Sequence, residues 1–135
     1  MIERLSHSTV YVADQDRARA FYVDNLGFEV RQDATMGNFR WLTVGPASQP
    51  DVEIVLMPLD GAPTMDPDSL ATLRALVVGG KLGAGVFATS DCRATYRELV
   101  ERGVEFRSEP TERPYGLEAI FVDDTGNWFS LTERR

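Results

Sequence analysis

The chain holds a single histidine, His7, inside the alternating stretch Leu5-Ser6-His7-Ser8-Thr9-Val10-Tyr11-Val12, which reads as a strand. An unperturbed imidazole titrates near pH ~6.5. His7 can therefore serve as a general acid or base, hold a polar group of a ligand, or donate an electron pair to a metal ion. Glu53 and Glu118 can act as bases if they are buried, although exposed strand carboxylates are the commoner fate. No nucleophile motif accompanies them: Ser6, Ser8 and Ser130 have no activating arrangement visible in the sequence. Cys92, the only cysteine, excludes an internal disulfide. It follows Asp91 at a predicted helix start, where a thiol pKa can fall, but it reads as a small residue of a first helical turn.

The elements that must position these groups occur in a doubled layout. Strand, helix, glycine and strand run from His7 to Val30 and again from Gly83 to Phe106. Displaced by 76 positions without a gap, Arg17 falls on Arg93, Ala18 on Ala94, Gly27 on Gly103 and Glu29 on Glu105. Asp14 or Asp16 can cap the first helix and Asp91 the second, because a carboxylate accepts from otherwise unpaired N–H groups. Ala18, Phe21, Tyr22 and Leu26 form one apolar face, and Tyr96, Leu99 and Val100 the other. Gly27 and Gly103 supply the helix stops.

Further strands are predicted at Glu29–Gln32, Phe39–Val44 and Val52–Met57, then at Glu105–Ser108, Glu118–Val122 and Trp128–Thr132. Turn signals such as Met36-Gly37-Asn38 and Asp124-Thr125-Gly126-Asn127 separate them. The order is β-α-β-β-β, twice. The reading is one domain over 1–135, with module one at 1–58, module two at 82–135 and a connector at 59–81. In that connector Leu70, Leu73, Leu76 and Val77 have helical spacing ahead of Gly79-Gly80. The connector is a candidate lid, a dimer-packing element or a plain spacer.

Composition narrows the partners. With 135 residues, 43% hydrophobic and 26% charged, the chain reads as one soluble globular domain. A net charge of -7 and the absence of a Lys/Arg cluster argue against nucleic acid. No apolar run approaches the ~20 residues of a membrane span, and the start lacks a signal-peptide layout, so a cytoplasmic location is expected.

The doubled layout carries His7 on its first strand and Phe21-Tyr22 in its first helix. Asn25-Leu26-Gly27-Phe28-Glu29-Val30 follows that helix, and Asp123-Asp124-Thr125-Gly126-Asn127 precedes the last strand. With these features nearly the whole chain resembles the vicinal oxygen chelate superfamily of glyoxalases, extradiol dioxygenases, fosfomycin-resistance transferases and bleomycin-type drug-binding proteins. The resemblance implies an α+β fold in which two βαβββ modules form a curved mixed sheet around a cupped cavity, helices outside. It also implies a homodimer.

Enzymatic members hold a divalent ion with His or Glu from the first and last strand of each module. His7 matches the first position. Leu56 is the best match to the second, with Glu53 expected on the opposite strand face. The third falls on Gly83, Ala84 or Gly85 and the fourth on Ser130. One ligand, or two with Glu53, is too few for a transition-metal site. No cofactor is therefore expected, and the leading expectation is a metal-independent protein that binds an aromatic or hydrophobic small molecule in the cup. The opposing one is an enzyme, a glyoxalase-like lyase or isomerase or an extradiol-type dioxygenase, using His7 with a rebuilt metal site or a metal-free acid–base pair.

Strand alternation within that architecture sends Val10, Val12, Phe129 and Leu131 to the core and His7, Thr9, Tyr11, Trp128 and Ser130 to the cup. Phe39, Trp41, Tyr115, Phe121 and Trp128 are the candidate stacking aromatics. Arg40 and Arg113 are the candidate partners for an anion, and the loop Thr111–Gly116 is the favoured single site.

Overall fold

The structure is a computed structural model that describes all 135 residues, Met1–Arg135. Side-chain caps start its helices. The Asp14 carboxylate accepts from the N–H groups of Asp16 and Arg17 at the start of α1 (Gln15–Ala20). Asp91 accepts from Ala94 at the start of α3 (Cys92–Glu101). Beyond Ala20 the first helix widens over Phe21–Asn25, where the Leu26 N–H reaches back five residues to the Phe21 carbonyl. This wider turn brings the neighbouring side chains Phe21 and Tyr22 both into the core.

The strands are β1 (His7–Val12), β2 (Glu29–Met36), β3 (Phe39–Gly45), β4 (Glu53–Pro58), β5 (Gly83–Ala88), β6 (Glu105–Arg113), β7 (Gly116–Val122) and β8 (Trp128–Arg134). They form two four-stranded sheets of the same topology, β1-β4-β3-β2 and β5-β8-β7-β6. In each sheet the first and last strands pair in parallel and the remaining pairs are antiparallel. This is the α+β, two-module architecture expected from the sequence.

One face of each sheet packs on helices. Val10, Val12, Leu42, Val44, Ile54 and Leu56 from the first sheet share one core with Leu117, Ala119, Phe121, Phe129 and Leu131 from the second. Ala18, Phe21, Tyr22, Cys92 and Leu99 come from the helices. Phe121, expected in the cup, belongs to this core, stacked 5.4 Å from Phe129. Val100, expected on the buried helix face, is exposed; Cys92 takes that place and its thiol meets the Leu131 carbonyl. Burial, and next the charge of Glu133, raises the Cys92 pKa, so its position at a helix start does not activate it.

The late Asp-x-x-Gly-Asn segment clasps the halves together. One Asp123 carboxylate oxygen accepts from the N–H groups of Thr125, Gly126 and Asn127, each at 2.9 Å. The other accepts from the Tyr22 hydroxyl at 2.7 Å and from the Asn127 amide at 2.9 Å. Asn127 also donates to the Tyr11 carbonyl, and Thr125 Oγ1 accepts from the Ala13 N–H. Burial and the Asp123 charge raise the Tyr22 phenol pKa, so it remains a donor.

Between the halves, α2 (Pro67–Val78) starts at the Asp66 cap. Only Val77 of α2 is buried, while Leu76 and Val78 stay exposed. Gly126 (φ +126°) lies under its end, and a Cβ there would fall 2.3 Å from the Val77 carbonyl oxygen.

Candidate functional site

Alternation along each strand leaves a second face, turned away from the helices. On the first sheet it carries His7, Thr9 and Tyr11 from β1, Trp41 and Thr43 from β3, and Glu53, Val55 and Met57 from β4. β1 and β4 pair in parallel with His7 opposite Glu53 and Thr9 opposite Val55. Glu53 thus shares the face of His7, whereas Leu56, the sequence match to the second ligand position, is fully buried in the core. His7 Nε2 stands 3.6 Å from Glu53 Oε2, and Glu53 Oε1 accepts from the Thr43 hydroxyl at 2.6 Å. The Nδ1 atom of His7 lies 2.9 Å from Ser6 Oγ. The His7 and Trp41 rings approach to 5.9 Å between centroids. Thr43 and Val55, on the same face, are buried although they face away from the helices. The Trp41 indole N–H donates to Gln32.

On the second sheet this face carries Glu118 and Ile120 from β7 and Trp128, Ser130, Thr132 and Arg134 from β8. Both oxygens of Glu118 are engaged. Oε1 accepts from the Tyr115 hydroxyl at 2.8 Å and Oε2 from Ser130 at 2.6 Å, while Ser130 and Thr132 share a hydrogen bond of 2.8 Å. Arg113 Nε lies 3.7 Å from Glu118, and the Arg134 guanidinium sits over the Tyr115 ring at 5.8 Å. The Ser130 hydroxyl, followed by Tyr115 and Arg113, holds the Glu118 carboxyl below its ordinary range. Accepting this bond in turn raises the Tyr115 phenol.

The candidate residues thus fall into two clusters on separate sheets: His7, Thr9, Tyr11, Trp41 and Glu53 on one, Arg113, Tyr115, Trp128 and Ser130 on the other. Arg40 joins neither. It faces the helix side and pairs with Asp16 and Asp33, at 2.6 Å and 2.8 Å. Period-two alternation already separates position 40 from 41 and groups it with the core residue Leu42. Thr111–Gly116 is not a loop: Thr111 to Arg113 end β6, and only Pro114 and Tyr115 turn the chain into β7. Glu118, central to the second cluster, was legible only as a strand carboxylate.

The residues present do not fit a divalent ion held by three or four side chains. No third His, Cys, Asp or Glu joins His7 and Glu53. Of the three candidates for the third position, none bears a ligand group, and at Gly83 the Trp128 indole lies so close that a Cβ would meet the ring at 2.6 Å. At the fourth, the Ser130 hydroxyl is committed to Glu118 and Thr132. Clefts also lie away from these faces. The two largest, of about 410 and 370 Å³, flank α2, and a smaller one of about 190 Å³ lies between the halves, lined by Leu26, Phe28, Phe87 and Leu99.

This architecture recurs in known proteins. The crystal structure of UcmS2 superposes with a TM-score of 0.92 at 52% identity, covering 98% of this chain and 99% of that one. TnmS3, an antibiotic binding protein from Streptomyces sp. CB03234, superposes with a TM-score of 0.78 at 32% identity, covering 99% of this chain and 98% of that one. The uncharacterized protein YurT of Bacillus subtilis (strain 168) is 34% identical over 128 residues, 94% of this chain and 96% of YurT. The family model of the Glyoxalase/Bleomycin resistance protein/Dioxygenase superfamily matches residues 4–131. The resemblance carried by His7, Phe21-Tyr22 and the Asp123–Asn127 segment is therefore one of descent, and the chain belongs to the glyoxalase/bleomycin resistance protein/dioxygenase superfamily.

Proposed function

We propose that the protein is a metal-independent receptor that binds a planar aromatic or hydrophobic small molecule on the helix-free faces of its sheets. The observation that carries this reading is the Trp128 indole seated against Gly83, in the short stretch where the resemblance calls for a metal ligand. A flat apolar platform takes the place of an electron-pair donor. Trp41, Trp128 and Tyr115 offer stacking surfaces, and the flanking hydroxyls and carboxylates offer polar contacts that fix orientation. The likeness to TnmS3 over nearly the whole of both chains supports an antibiotic-like ligand.

A homodimer, expected from the resemblance, would cover faces that a single chain leaves open. β1 and β5 are outer strands of their sheets, and Val86 and Leu5 are exposed beside them. The working location is the cytoplasm. The decisive experiment titrates planar aromatic antibiotics into the chelator-treated protein while reading tryptophan quenching. Saturable 1:1 binding per site without added metal is expected, and binding that requires restored divalent metal overturns the reading.

One observation favours a second reading. His7 and Glu53 are paired across β1 and β4 as an acid–base couple would be. A glyoxalase-like lyase or isomerase using that couple would lose turnover in His7→Ala while keeping its affinity for the substrate.

A further inference from the structure

We propose that the first sheet holds a subsite for a protonated amine, so that the ligand is a planar aromatic molecule bearing a cationic nitrogen. The inference deepens the receptor reading above and rests on it.

Glu53 is a carboxylate with unequal oxygens. Oε1 is satisfied by Thr43 at 2.6 Å. Oε2 has no donor within hydrogen-bond range; the nearest charged-group atom is His7 Nε2 at 3.6 Å, beyond a hydrogen bond. In the tautomer that turns the ring proton on Nδ1 toward Ser6 Oγ, 2.9 Å away, Nε2 is itself an acceptor. Two acceptors then face one another across a gap that a donor group bridges well. An ammonium is the donor that fits, because its several N–H bonds reach both atoms and its charge matches the carboxylate.

The surroundings select for positive charge. The Glu53 side chain remains 23% exposed, so a ligand can reach it. The Trp41 ring, with its centroid 5.9 Å from that of His7, adds an aromatic wall on the same face for the planar part of the ligand. No arginine competes: Arg31 is engaged on the Pro46 carbonyl and Arg40 on Asp16 and Asp33. The second sheet lacks this property. Glu118 already has two hydroxyl donors and Arg113 beside it. The chain's net charge of -7 adds long-range attraction for a cation.

The test uses two matched probes, 9-aminomethylanthracene and the neutral 9-hydroxymethylanthracene, titrated at pH 7.5 and low salt against the full chain and against Glu53→Gln. Gln at 53 still accepts from Thr43, so the fold is kept. The amine is expected to bind at least about tenfold more tightly than the alcohol, and Glu53→Gln to abolish that preference. Equal binding of the two probes to the wild-type chain, or a preference that survives in Glu53→Gln, overturns the amine subsite and leaves the receptor reading standing. Failure of both probes to bind overturns both.

Discussion

The two sheets share a topology and a core but carry different chemistry on their free faces. On the first, Glu53 has one satisfied oxygen and one open oxygen, 3.6 Å from the imidazole that neighbours Trp41. On the second, Glu118 has both oxygens satisfied, flanked by Arg113 and with Arg134 over Tyr115. Position 7 bears the chain's only imidazole; position 83, its counterpart in the repeat, bears no side chain and lies beneath Trp128. The shared topology fixes where side chains emerge, and different residues occupy the equivalent positions. One face is open and acidic, the other internally compensated and aromatic.

The comparison depends first on the clasp that keeps both sheets on one core. Asp123→Ala leaves three backbone N–H groups and the Tyr22 hydroxyl without their acceptor. It should cost on the order of 4 kcal/mol, read as a lowered urea midpoint for the whole chain.

The counterpart positions come next. Gly83→Ala must push the Trp128 ring aside and should cost about 2 kcal/mol with a shifted tryptophan emission. His7→Ala on the half-exposed side of the repeat should change stability by less than about 0.5 kcal/mol.

The third test is a matter of pH. Burial, and then the neighbouring Asp123 charge, pushes Asp124 up to about 6. A carboxyl that holds its proton more tightly folded than unfolded opposes folding once it ionises. Its penalty therefore grows as pH rises from about 4 to about 6 and is complete above that. Asp124→Asn should stabilise the protein at pH 7.5 by on the order of 1 kcal/mol, after allowance for solvent screening. The gain should vanish near pH 4, which paired urea melts at the two pH values would show.

The smallest effect separates the two glutamates themselves. Glu118→Gln should cost about 1 kcal/mol near neutral pH, because its two hydroxyl donors then face one oxygen and one amide. Glu53→Gln, with one donor to satisfy, should cost under about 0.5 kcal/mol. Equal costs would erase the contrast between open and compensated faces.

Much of the frame was legible because it rests on local chemistry. Asp14 and Asp91 cap helices, Gly27 and Gly103 end them at positive φ, and Val10 and Val12 alternate with His7 and Tyr11. What escaped the sequence depends on pairing between distant strands. Nothing in residues 52–58 states that Glu53 lies opposite His7; the parallel register of β1 and β4 does. Phe21-Tyr22 and Asp123–Asn127 stood out as motifs, but their shared hydrogen bond spans 101 residues and leaves no local trace. β6 runs past Pro110 because it is the outer strand of its sheet, where a missing N–H costs no ladder bond, so a proline that suggests a loop sits inside a strand. Arg40 was misplaced despite a legible signal, since its neighbour Trp41 and the core residue Leu42 fix which way it turns.

The contact between Gly83 and Trp128 also constrains which substitutions the chain accepts. An imidazole at 83 has nowhere to go while the indole stays, and removing the indole alone leaves bare backbone and no donor. Neither change is useful without the other, and Ser130 would still have to be replaced. A chelating site on this chain is therefore not one substitution away: building it requires concerted exchange at neighbouring positions.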